Sequence, residues 1–311
     1  MNRDWHMLSR CWQGSFNTLS KDMTMTKARR TAVTAFAFAL AAAAAPSAQW
    51  VQYRDPAVPR TKDGKPNLSA PAPRLSDGKP DLSGVWMHEL TSAAEVRRLF
   101  GPTIDDRIKV DVPGMEIGTQ HKYNFNILLD YSEADMLRPA ARARMGVRAQ
   151  NADPAAVCVR RPGHFIRADL LSDAIKIVQA PRITMILYEA GDTHRQIHSD
   201  GRALPKEFDL PSYLGYSIGR WDGDTFVVDT AGFNGKTTLD AMGHPSSDRL
   251  HVIERYRRRD FGHLDVETTF DDPEMYTKPF TIKVPHDLLP DTDIFESFCE
   301  NEKDSTHLGQ R

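Results

Sequence analysis

The chain has 311 residues, 26% of them charged and 40% hydrophobic, with 40 basic against 42 acidic side chains for a formal charge of −2. A net acidic balance excludes the basic surface that nucleic acid requires of a partner. Three cysteines are too few for a disulfide-scaffolded fold, so stability must come from an apolar core.

Residues 25–48 read as an export signal: Lys27, Arg29 and Arg30 form the charged end, Thr31 to Ala45 the apolar stretch, and Pro46-Ser47-Ala48 a small-residue exit. The apolar stretch is shorter than the roughly 20 residues that span a bilayer, and no cysteine follows it closely, so no stable membrane anchor is expected. The expected destination is the periplasm or the medium. Loss of residues 1–48 removes six basic and two acidic side chains and leaves 34 against 40, a charge of −6. The remainder suffices for one β domain, expected over residues 84–311 and preceded by an extended segment over 49–83. Cys158 and Cys299 survive processing; in an oxidising compartment they form one disulfide, or stay two separate buried thiols.

Residues 50–80 are rich in proline and carry a near repeat, Asp63-Gly-Lys-Pro-Asn-Leu-Ser69 and Asp77-Gly-Lys-Pro-Asp-Leu-Ser83, which should lie extended over the surface. A first strand is expected at Gly84-Val85-Trp86, then a short helix from Thr91 to Phe100 capped by Ser92 with Glu95 three residues on. Ser132 and Asp135 open the one longer helix, 132–150, with a thin apolar stripe of Met136, Ala140 and Met145 beside Arg138, Arg142, Arg144 and Arg148. Pro139 is expected to kink it, and the arginine row reads as a solvated face.

From Ile175 strands dominate: Ile175 to Gln179, Arg182 to Glu189, Arg195 to Ser199, Tyr216 to Trp221, Asp224 to Asp229, Leu250 to Arg259, Leu264 to Phe270, Phe280 to Val284 and Ile294 to Phe298. Asp222-Gly223 supplies a two-residue turn, and Asp260-Phe261-Gly262-His263 a four-residue one. A meander of about eight antiparallel strands must close or stack to protect its edges, and a closed barrel is the expected fold.

Gly215-Tyr-Ser-Ile-Gly219 matches a serine-hydrolase elbow in letters only, because no helix follows, and Ser217 reads as a strand residue. In a strand His194 and His198 stand about 13 Å apart, beyond shared ligation, so no metal is expected. No Gly-rich nucleotide loop appears, and no cofactor is expected.

Strand alternation sorts the remaining polar residues. Pairing Arg259 with Leu264 puts His251, Ile253 and Arg255 on one face with Val266, Thr268 and Phe270, and sends Glu254, Tyr256 and Arg258 to water. The preceding hairpin groups Tyr216, Ile218 and Arg220 with Thr225, Val227 and Asp229, while Trp221, Phe226 and Val228 make the opposite face as apolar, leaving its inward side open. The earlier hairpin groups Tyr188 and Ile186 with Arg195 and Ile197. His251 and Asp229 are the candidate proton-transfer groups, Tyr216 a donor, and Arg195, Arg255 and Tyr188 the candidate substrate-binding residues. The same set would also serve as a structural salt-bridge network.

Read together, Asp77-Gly-Lys-Pro-Asp-Leu-Ser-Gly-Val-Trp86, Gly215-Tyr-Ser-Ile-Gly-Arg-Trp-Asp-Gly-Asp-Thr225, Val228-Asp-Thr-Ala-Gly-Phe-Asn234, His251-Val-Ile-Glu-Arg-Tyr-Arg-Arg258 and Asp272-Pro273 with Tyr276-Thr-Lys-Pro279 resemble a large group of exported bacterial β-rich proteins. That resemblance implies architecture and export but no reaction. Gly84-Val85-Trp86 is loosely similar to the opening of lipocalin-like barrels, which bind hydrophobic small molecules. The expected function is a periplasmic, cofactor-independent enzyme doing acid/base chemistry, as C–O cleavage, hydration or isomerisation, on a small apolar or aromatic compound. A carrier of such a compound is the alternative, and a carbohydrate-binding module with Tyr213, Trp221 and Phe233 in a flat patch is a third.

Overall fold

A computed structural model describes residues 54–101, 104, 120–148, 165–170, 174–189 and 193–294. The export signal and Cys158 and Cys299, with the disulfide expected between them, lie outside the described residues. Nine strands close into a barrel in chain order: β1 (Gly84–His88), β2 (Ile175–Ala180), β3 (Ile183–Tyr188), β4 (Thr193–His198), β5 (Tyr216–Asp222), β6 (Thr225–Ala231), β7 (His251–Arg258), β8 (His263–Asp271) and β9 (Phe280–Leu288). An odd number of strands cannot alternate all the way round, so one seam must be parallel. That seam is β4–β5, where only Ile197↔Ser217 and His198↔Ile218 pair. Every other neighbour is antiparallel, including the closing pair of β1 and β9.

The turn after β5 lies one residue beyond its expected place: Asp222 pairs with Thr225, and Gly223 takes φ +61 as the first residue of the two-residue loop. β9 runs past Val284 because Pro285 turns its missing N–H to the edge facing β1, beyond the end of that strand, and its carbonyl accepts from the Glu89 N–H at 2.8 Å. The strand expected from Ile294 is absent at that residue, and 295–298 lie outside the described residues.

Among the described residues five short helices are bounded: α1 (Ala93–Phe100), α2 (Lys122–Phe125), α3 (Glu133–Met136), α4 (Pro139–Arg148) and α5 (Phe165–Leu170). Ser92 caps α1 by accepting from the Glu95 N–H at 3.3 Å. The helix expected over 132–150 is two helices, since Pro139 bars its predecessor from helical geometry and Leu137 bridges Tyr276 instead. The arginine row does not simply face water. Arg142 donates to the carbonyls of Ala134 and Leu137 at the broken helix end, and Arg138 donates to the Tyr276 carbonyl at 2.9 Å.

The near repeat forms two matching turns, with Gly64 and Gly78 each donating back three residues to Thr61 and Leu75. The arginine ahead of each turn ties it to a carboxylate farther along the chain, Arg60 to Asp291 and Arg74 to Asp224.

The barrel interior is filled by Trp86, Phe226, Phe270, Phe280, Leu264 and Ile282, none more than 1% exposed apart from Phe280 at 2%. Phe270 and Phe280 stack at 5.0 Å. Gly219 belongs to this packing: a Cβ there would stand 2.3 Å from Phe226 Cζ. Gly219→Ala is therefore expected to lower stability by about 1–3 kcal/mol through overpacking, read as a lower urea midpoint at unchanged slope. Among the described residues no helix is long and apolar enough to cross a membrane.

Candidate functional site

The register of β7 on β8 decides which charges enter the barrel. Arg258, not Arg259, pairs with Leu264, and Arg259 N–H donates to the His263 carbonyl at 3.0 Å, so the loop is three residues, Asp260-Phe261-Gly262. A one-residue slip exchanges the two faces of a strand. Val252, Glu254, Tyr256 and Arg258 therefore point inward with Leu264, Val266, Thr268 and Phe270, all buried. His251 and Arg255, expected inside, stand on the outer wall, and Glu254, expected in water, is inside.

Glu254 there forms a closed network with Arg195. Both side chains are 2% exposed, and the guanidinium grips the carboxylate with two parallel bonds, Nη1 to Oε1 at 2.9 Å and Nη2 to Oε2. Arg195 Nε donates to Ser217 Oγ at 3.0 Å and Nη2 to Thr230 Oγ1 at 2.7 Å, while Tyr256 donates to Glu254 Oε1 at 2.7 Å. The guanidinium lies 3.8 Å from the centre of the Phe165 ring on α5. Burial opposes the charge on Arg195, but Glu254 more than offsets it and holds the arginine above its ordinary range. Tyr188 shares this inner face, and burial raises its phenol despite Arg195 nearby. Of the residues that the alternation grouped as a lumen, Arg195 and Tyr188 lie on this buried face; the carboxylate that holds Arg195 is Glu254, which the alternation sends to water, and Ser217 is a strand residue bonded to the same guanidinium.

Arg258 is caged differently. Its bonds run to the carbonyls of Asp81, Ser83, Asp260 and Phe261, and it stacks on Trp86 at 4.9 Å and Phe261 at 5.1 Å. Burial lowers its pKa to about 10.

A second polar cluster joins His286 on β9 to Asp169 on α5 at 3.1 Å, with the His88 ring 6.4 Å from that of His286 and 5.8 Å from that of His121. Burial, with His88 adding to it, drives His121 down to about 3 and keeps it neutral. A third pairs His244 Nδ1 with Asp240, both fully buried, while Nε2 has no hydrogen-bond partner and stands 3.6 Å from Glu133 Oε1. Burial pushes His244 down, but the bond and charge of Asp240, with Glu133, prevail and raise it. A raised histidine stabilises fully below its unfolded pKa of about 6.5 and loses that contribution as pH climbs through the folded value. The stability gap between the native protein and His244→Gln, from urea midpoints, is thus expected to be full below about pH 6.5 and to shrink as pH rises above it. Among the described residues no group of three or more His, Cys, Asp or Glu side chains is placed to hold a metal ion.

Outside the barrel, the splayed parallel seam leaves a groove of about 440 Å³ lined by His194, Gln196 and His198 of β4, the segment Ser212 to Ser217, and Arg195 at its floor. His198 stacks on Tyr216 at 5.2 Å and 29°. Arg202 donates to the Tyr216 hydroxyl at 2.8 Å and is itself held by Asp200 at 2.7 and 2.9 Å. Burial lowers the pKa of His198 and the Arg202 charge lowers it further. On the same outer face Ile218 pairs with Asp229, and Asp229 bonds His251 Nε2. Their side chains are 22% and 36% exposed. The structure thus brings His251, Asp229 and Tyr216 to neighbouring strands of one face, outside the barrel, and puts Arg195 and Tyr188 inside it. Arg255 pairs with Asp222 on the outer wall, four residues along β7 from His251, and its side chain is 43% exposed. Phe233 is buried against Phe165 and Trp221 leans on Phe226, so the flat aromatic patch is not formed.

His198, Arg202 and Glu254 were not among the candidates drawn from the sequence. In the sequence Asp200-Gly-Arg202 reads as a turn whose polar groups could rim an opening but are more often only a turn, and His198 was weighed solely as a metal ligand. Comparison with protein-family models, with curated proteins and with solved structures finds no match to this chain.

Proposed function

We propose that the protein is an enzyme of the bacterial envelope that performs acid/base chemistry on a small apolar or aromatic compound bound in the β4–β5 groove. The observation that carries this reading is the chain Arg202–Tyr216–His198 on the groove wall. A histidine held below its usual pKa stays neutral at physiological pH and can accept a proton. A phenol whose oxygen already receives a guanidinium N–H can give its proton to a substrate oxygen, because the charge left behind is stabilised where it forms. Asp229 holds the His251 ring through Nε2 and so fixes its orientation one strand away. The rings of Tyr213, Tyr216 and His198, with Leu214, supply an apolar wall for a planar molecule. The export signal expected over residues 25–48 and the resemblance to exported β-rich proteins accord with this role.

The test is a panel of aromatic ethers, esters, epoxides and lactones offered to the purified protein, with Tyr216→Phe alongside. Turnover that falls about 100-fold in the variant at unchanged affinity supports the reading. Binding in the groove without any turnover by the native protein would make it a carrier instead.

A further inference from the structure

We propose that the ligand of the β4–β5 groove is a neutral aromatic molecule bearing a secondary amide, read by the open backbone edge of β4; this rests on the groove being the site proposed above. The register identifies that edge. Arg182 pairs with Ser199 through the Ser199 N–H, and Ile186 with Arg195, so the odd-numbered residues of β4 direct their backbone groups at β3. His194, Gln196 and His198 direct theirs at β5. The ladder with β5 begins only at Ile197, and among the described residues no strand pairs with β4 before it. The N–H and C=O of His194 and the N–H of Gln196 therefore face the groove, and both residues are exposed.

An unpaired stretch of strand edge offers a donor and an acceptor at the spacing of a peptide group, the pattern that strand-adding ligands satisfy. A secondary amide answers with one N–H and one C=O. An ester of the same shape has no donor and sets an oxygen against the His194 carbonyl. Charge restricts the ligand further. The two guanidiniums at the groove are already engaged, Arg195 by Glu254 and Arg202 by Asp200 and Tyr216, so a carboxylate would find no uncommitted cation on them. The rings of Tyr213, Tyr216 and His198 beside this edge suit an aromatic group next to the amide.

Three probes that differ only at the amide test this on the native protein, with NMR shifts of the His194, Gln196, Tyr213 and Tyr216 backbone amides as the readout. N-acetyltyramine is expected to move all four and to bind about tenfold more tightly than its ester isostere, 4-hydroxyphenethyl acetate, the loss that follows one missing hydrogen bond and one unpaired acceptor. The ring alone, 4-ethylphenol, should move Tyr213 and Tyr216 more than His194 and Gln196. Equal affinity for amide and ester within twofold overturns the amide proposal while leaving the groove as the binding site. If none of the three moves these resonances, the groove is not the site and both readings fall.

Discussion

Glu254→Ala is expected to cost about 3–5 kcal/mol of stability, among the largest losses available from a single side chain in this barrel. The carboxylate is the partner that keeps Arg195 charged inside the wall, and its removal strands a guanidinium whose remaining bonds go to two hydroxyls. Tyr256 loses its acceptor in the same step. Urea unfolding should show the loss as a lower midpoint. A double replacement of Arg195 by Met and Glu254 by Leu removes both charges together, and it should recover most of the loss, since a buried pair replaced by apolar side chains of similar size is often neutral or better. A double variant as unstable as the single one would mean that the pair contributes more than mutual charge compensation.

His198→Ala is expected to lower kcat by about 100-fold or more on any compound the protein turns over, with ligand affinity changed much less. The pH dependence separates a base from a ring that merely packs. Burial and the Arg202 charge both hold His198 below the ordinary histidine value, so the neutral, proton-accepting form is already dominant at neutral pH. The rate should therefore rise with pH along a limb centred below about 6.5 and stay level above it. Arg202→Gln removes the charge that depresses His198, so the limb should move to higher pH while kcat falls, because Tyr216 loses its donor. A limb that stays in place in Arg202→Gln contradicts the assignment of the base to His198.

The closed barrel was legible because Asp222-Gly223 and the 260–263 loop mark hairpins, and Leu264, Val266 and Phe270 alternate without ambiguity. β7 was not legible on its own. Its two faces, Val252-Glu254-Tyr256-Arg258 and His251-Ile253-Arg255-Arg257, each mix apolar and charged residues, so only the loop length could choose between them. That length is set by contacts distant in sequence: Phe261 and Gly262 donate to the carbonyls of Ala70 and Leu68, and a Cβ at Gly262 would meet the Leu68 Cβ at 2.4 Å. The β3–β4 hairpin was easier, and Ile186, Tyr188, Arg195 and Ile197 share the inner face as the alternation implied. The parallel seam escaped the sequence because the loop from Ser199 to Gly215 carries no signal of strand direction, and with it went the groove.

The most direct test of the account is a crystal structure of the protein with 4-ethylphenol bound. The ring is expected against Tyr213, Tyr216 and His198 on the outer wall, with Arg195 and Glu254 still joined beneath it. A ring lodged inside the barrel between Glu254 and Tyr256, with the Arg195 pair opened, would return the chemistry to the interior and contradict the account.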